Sequence, residues 1–79
     1  MTREEVYERL NGIFRELFDD ETIVLDDKTT AGDIEGWDSL RHITLISVIE
    51  DEFGIEFEMK DIVGLKNVGE LVDVIIREL

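Results

Sequence analysis

Three features of the sequence predict an all-α fold, a small four-helix bundle of three longer helices and a short third one, with a long loop between helices one and two. None of the 79 residues is proline, so the commonest helix breaker is missing. Apolar residues recur at steps of three and four in three separate segments, as in helices that bury one stripe. Residue types that favour helix starts precede each of those segments. A chain this short is expected to form one domain, residues 1–79. Its 43% hydrophobic and 37% charged residues fit a folded domain rather than a disordered tail.

Thr2 and Glu5 have the spacing of a capping box and open the first helix, which is expected to bury Val6, Leu10, Ile13, Phe14 and Leu17. Gly12 lies inside it at a cost of about 1 kcal/mol against alanine, a choice that a close helix contact would explain. From Asp19 to Trp37 the periodicity fails. A connection of this length is uncommon in a compact domain unless it is tied down, and Ile23, Val24, Leu25 and Ile34 are the expected anchors. The second helix runs from Ser39 to Phe53, with Ile43, Ile46, Ile49 and Phe53 on one broad arc flanked by His42 and Leu45. Thr44, Ser47 and Asp51 fall opposite, with Leu40 and Val48 among them, which makes that side a candidate docking edge. Gly54 closes the helix as a C-cap residue. Glu56 to Val63 is long enough for one or two helical turns. Asn67 and Glu70 give a second capping box, and the last helix is expected to bury Leu71, Val72, Ile75 and Leu79.

Eight basic residues stand against 21 acidic ones, a formal charge of −13. Phosphate binding needs a basic surface, which argues against nucleic acid as a partner, and an anionic membrane would repel the chain. The same field speeds encounter with proteins that carry basic patches. With no cysteine, neither a disulfide framework nor a thiolate metal site is expected. No apolar run approaches the roughly 18 residues of a membrane span, and the opening M-T-R-E-E-V is no signal peptide, so a cytoplasmic protein is expected.

Catalysis has little material. His42 is the only histidine and follows Ser39 by one turn; a catalytic pair also needs a third group to orient it, and no pocket or oxyanion hole is evident, so no enzyme is expected. A histidine half-buried at the core edge and a Trp37 that lids the bundle are the simpler readings. A calcium loop starting at Asp27 would put Thr29 and Ala31 at its third and fifth positions, which depletes the oxygen donors such a loop needs. Ser39 remains. Asp38 and Ser39 are both good N-cap residues, yet only one can cap. If Asp38 does, Ser39 takes the first helical position and turns its hydroxyl toward solvent. Free N–H groups and the positive dipole end there suit an attached phosphate. The residues alone leave both readings open.

D-S-L at Asp38, Ser39 and Leu40, leading an amphipathic helix that ends I-E-D-E-F-G-I, resembles the acyl carrier protein family. The likeness extends to the long first loop, the short third helix and the final K-N-V-G-E-L-V-D-V-I. It implies that Ser39, between Asp38 and Leu40, is esterified with 4′-phosphopantetheine from coenzyme A by a phosphopantetheinyl transferase. The arm would supply the thiol that this cysteine-free chain lacks, and acyl groups would ride on it as thioesters. The resemblance also implies a monomer whose second helix meets acyl-loading and acyl-processing enzymes through Leu40, Arg41, Thr44, Ser47, Val48, Glu50, Asp51 and Glu52, the acids facing basic docking patches. Carriers of primary fatty acid synthesis usually follow D-S-L with an acid, whereas this chain has Arg41 and His42. In that respect it looks more like specialised carriers of secondary or cell-envelope pathways. An aminoacyl or peptidyl carrier shares the same serine and fold, and an acidic interaction module without cargo is the reading from another class.

Overall fold

The computed structural model describes Met1–Leu79. It contains four α-helices, α1 (Arg3–Leu17), α2 (Ser39–Phe53), α3 (Met59–Val63) and α4 (Val68–Glu78), with one 3-10 turn, Ala31–Asp33, in the long first connection. The starts are fixed by local chemistry. Thr2 Oγ1 accepts from the Glu5 N–H while the Glu5 carboxylate accepts from the Thr2 N–H, a complete capping box. Asn67 accepts from the Glu70 N–H at 2.9 Å, but Glu70 reaches past it to the Lys66 N–H, also at 2.9 Å. The expected second box is therefore half formed, its return bond displaced by one residue. Gly54 ends α2 in the left-handed conformation with φ 65°, where a Cβ would be strained.

The helix α1 packs against both α2 and α4. It contributes Val6, Leu10 and Phe14, all fully buried, to a core completed by Leu45, Ile46, Ile49 and Phe53 of α2 and Val68, Leu71, Val72 and Ile75 of α4. Ile13 and Leu17, expected inside, are only half-buried on the flank of that stripe. In α2 the buried arc is rotated from the expected one. Leu45 is completely buried and Ile43 is 64% exposed, because the helix turns one side to α1 and leaves Ile43 over a cleft toward α3. Leu79, expected in the core, is exposed beyond the end of α4. Gly12 makes no close contact, and a Cβ there would meet nothing within 4 Å. The close approach is at Gly69 instead, where a Cβ would come within 2.8 Å of the Asp27 carbonyl oxygen.

The long connection is stitched to the helices on both sides. Arg15 Nε donates to the Ile23 carbonyl at 2.7 Å, and the Leu25 N–H donates to Asn11 Oδ1 at 2.8 Å. Ile23 and Leu25 are buried and Val24 is 74% exposed, so of the expected anchors Val24 is not one. Between two buried neighbours an extended backbone points it outward. At the other end the N–H groups of Val68 and Gly69 donate to the carbonyls of Thr29 and Asp27 at 2.8 and 3.2 Å. Arg3 spans this junction, donating to Asp27 at 2.8 Å and Asp73 at 2.7 Å, and the Tyr7 hydroxyl donates to the same Asp27 oxygen as Arg3.

This junction should be visible in the pH dependence of stability. The Tyr7 hydroxyl first, and then the Arg3 guanidinium, hold the Asp27 carboxyl below the usual carboxylate range. A depressed folded-state value stabilises the fold above the unfolded pKa of about 3.9, and that contribution is lost as the pH falls through the folded-state value. Urea titrations from pH 6 to pH 2.5 should show a shallower acid decline for Asp27→Asn than for wild type. Parallel curves would remove Asp27 from the acid response.

Candidate functional site

The site begins at the turn into α2. Gly36 adopts φ 87° and carries the chain through Trp37 to Asp38, whose extended backbone and side chain make it the N-cap, with its carboxylate accepting from the Arg41 N–H at 2.8 Å. Asp38 thus takes the capping duty that the sequence left open between it and Ser39. Ser39 is the first residue of α2 and is exposed. Its hydroxyl stands at the positive end of a fifteen-residue helix with no structural bond to maintain. A phosphate esterified there would gain from the helix dipole and from N–H groups that have no intrahelical partner.

Ser39 lies on the rim of a cleft of about 830 Å³ between α2 and α3. Ile46, Ile62 and Leu71 give it apolar walls, and Trp37 and His42 close it near the serine. Three of its lining apolar side chains are exposed, Ile43 from α2 and Met59 and Val63 from α3, and Leu40, next to Ser39 in the chain, is exposed as well. An apolar chain up to the length of such a groove would leave water there, whereas the Ser39 hydroxyl stays accessible. Met59, Ile62 and Val63 carry no local signal beyond the short i, i+4 apolar spacing of α3, and the sequence reading gave them no role.

Trp37 is held edge-on against Phe14, with ring centroids 5.2 Å apart, and stacks on His42 at 5.9 Å with 23° between planes. Its indole N–H donates to His42 Nδ1 at 3.0 Å, and His42 Nε2 lies 3.2 Å from the Ile62 carbonyl oxygen. The lid and the core-edge histidine expected from sequence are therefore one hydrogen-bonded unit.

The residues expected to meet partners are distributed along α2. Leu40, Thr44, Ser47 and Asp51 are exposed, and Val48 is partly so, at 37%. Glu50 and Glu52 are partly engaged within the fold. Glu50 accepts from the Phe57 N–H at 2.9 Å and lines the cleft, while Glu52 pairs with Arg9 at 3.4 Å. Asp51 is the acid of the three with no such partner. Arg41 folds back onto the end of α1, donating to the Leu17 carbonyl at 3.2 Å with its guanidinium 6.0 Å from the Phe18 ring centroid. It caps a helix C-terminus, where a positive charge complements the dipole, and so braces the entry to α2 against α1.

A family model described as "Phosphopantetheine attachment site" matches residues 8–75. An acyl carrier protein of Saccharopolyspora erythraea is 27% identical over 73 residues, covering 92% of this chain and 77% of that protein. Two solved structures are similar throughout. The solution structure of a holo acyl carrier protein from Geobacter metallireducens has a TM-score of 0.85 at 43% identity, covering 91% of this chain and 83% of the other. The crystal structure of an acyl carrier protein from Thermotoga maritima has a TM-score of 0.83 at 26% identity, covering 96% and 88%.

Proposed function

Because the chain belongs to the phosphopantetheine attachment-site family, we propose that Ser39 is the residue to which its 4′-phosphopantetheine arm is esterified. The protein is an acyl carrier. Its covalent arm, when attached, supplies the terminal thiol that holds an acyl group as a thioester, a group no side chain of this cysteine-free sequence provides. The single observation that supports Ser39 is its position: an exposed hydroxyl at the first turn of α2, relieved of capping by Asp38 and set on the rim of the apolar cleft. Asp38 and Leu40 flank it, the first fixing the helix start and the second offering an apolar contact beside the attachment point.

In this reading the whole chain, 1–79, works as one monomeric carrier domain in the cytoplasm and performs no chemistry of its own. No helix of the structure is long and apolar enough to cross a membrane. The transferase and the acyl-processing enzymes approach along α2, reading Leu40, Thr44, Ser47 and Val48 with Asp51 and the solvent sides of Glu50 and Glu52. Basic patches suit this face, since the chain carries a formal charge of −13 and opposite potentials raise association rates. Arg41 interrupts the acidic field next to Ser39. A like charge there disfavours a uniformly basic partner, the feature by which a dedicated set of enzymes would be told from others.

The cargo provides the test. Protein purified from its native cell should carry on Ser39 the mass of one phosphopantetheine plus an acyl group. Neutral hydroxylamine, which cleaves thioesters, should remove the acyl increment and leave the arm. Recovery of the protein with Ser39 bare would overturn the reading.

A further inference from the structure

We infer that His42 is a positioning residue for the cargo site, latching α3 to α2 beside Ser39 and thereby setting how far the cleft opens. The consequence for cargo rests on the carrier reading above, whereas the latch itself does not.

The hydrogen-bond chemistry fixes the ring's role. An indole N–H can only donate, so Nδ1 of His42 must accept from Trp37 at 3.0 Å. In the neutral imidazole the proton then sits on Nε2, which donates to the Ile62 carbonyl at 3.2 Å. Ile62 lies in the last turn of α3, where carbonyls have no intrahelical partner. His42 thus serves as a C-terminal cap for a helix to which it does not belong. Behind it the ring is stacked on Trp37, and Trp37 is packed edge-on against the fully buried Phe14. A continuous set of contacts leads from the core through the indole and imidazole to the backbone of α3.

The helix α3 needs such a tether. It has five residues and buries none of them fully, and a helix that short has little stability of its own. Its own polar links to the rest of the fold are two. Arg77 of α4 donates to Asp61 at 2.9 Å, and His42 of α2 holds Ile62. The Asp61 link faces α4, so His42 makes the side-chain hydrogen bond that joins α3 to the helix bearing Ser39. These two helices supply most of the cleft's lining, Ser39, His42 and Ile46 from one and Met59, Ile62 and Val63 from the other, with Leu71 added from α4. Swinging α3 away would widen the cleft and leave both the Ile62 carbonyl and the His42 N–H in need of new partners, so the latch opposes opening.

The experiment measures backbone amide hydrogen exchange by NMR on the unloaded protein, comparing wild type with His42→Phe and His42→Gln. Phenylalanine keeps a flat ring but cannot bond. Glutamine offers an acceptor and a donor about as far apart as the two ring nitrogens. In His42→Phe the amides of Asp61 and Ile62, which donate to the Glu58 carbonyl, should exchange roughly three- to tenfold faster, the worth of one ordinary hydrogen bond. Exchange in α1 and α4 should change much less, and His42→Gln should recover most of the protection. As the second readout, protein loaded with an eight-carbon acyl chain should lose its thioester to hydroxylamine faster in His42→Phe than in wild type. Unchanged α3 exchange in His42→Phe, or an equal increase in every helix, would overturn the latch. Failure of wild type to accept an arm would count against the carrier reading alone, since the exchange measurement needs no arm.

Discussion

Phe14→Ala should lower stability by about 3–5 kcal/mol, the range for truncating a buried phenylalanine. The ring is completely buried in the last turn of α1 and is met by Phe18 at 5.5 Å and by the edge of Trp37 at 5.2 Å. Its removal takes away both aromatic contacts and leaves a cavity at the point where α1 supports the entry to α2. A domain of this size has roughly 4–12 kcal/mol in total, so the loss consumes a large share of it. The melting temperature should drop by at least about 12 °C, at roughly 4–8 °C per kcal/mol for a small domain. Ile13→Ala is the control, because the sequence pattern places Ile13 in the same stripe while the structure leaves it half-buried. It should cost about 1 kcal/mol, a partial share of the burial energy of such a side chain. Equal losses at the two positions would mean that α1 buries a different face from the one that carries Val6, Leu10 and Phe14.

The parts of the fold legible in the sequence were those governed by local rules. The Thr2–Glu5 box, the start of α2 and the glycine that ends it at Gly54 depend on a few adjacent residues, and each lies where the pattern put it. The buried side of α2 was less legible. Apolar residues occur on most sides of that helix, since it faces the core with Leu45, Ile46 and Ile49 and the cleft with Ile43. A periodicity argument finds one centre where the helix has two apolar faces. Ile23, Val24 and Leu25 form a run in which an alternation of two was the relevant period, as expected for extended chain rather than helix. The glycines show the limit most directly. Both Gly12 and Gly69 are helical, but only Gly69 is crossed by another backbone, and the path of Asp27 that crosses it is a tertiary fact.

The candidate site divides the same way. The residues alone left Ser39 open between helix cap and attachment point, and only the resemblance carried by D-S-L implied the second; the structure assigns the cap to Asp38. The cleft was not legible, because it exists only once α3 is docked, and nothing local in a five-residue helix says where it will lie. The internal duties of Glu50, Glu52 and Arg41 were hidden for a similar reason. Their partners Phe57, Arg9 and Leu17 come from other parts of the chain, so charges that read as a free docking face are partly committed to holding the bundle together.

If the Ser39 hydroxyl carries the arm, the intact mass of the protein after loading will show it. Unmodified protein is incubated with coenzyme A, Mg²⁺ and a broad-specificity phosphopantetheinyl transferase, beside Ser39→Ala checked for its helical circular dichroism. Because Asp38 supplies the cap and Ser39 is exposed, the alanine variant should fold with a stability change within about 0.5 kcal/mol, as for surface substitutions in general. Wild type should gain one phosphopantetheine, with the modified peptide containing Ser39, and folded Ser39→Ala should gain none. A wild type that stays unmodified, or an alanine variant that is labelled, would contradict attachment at Ser39.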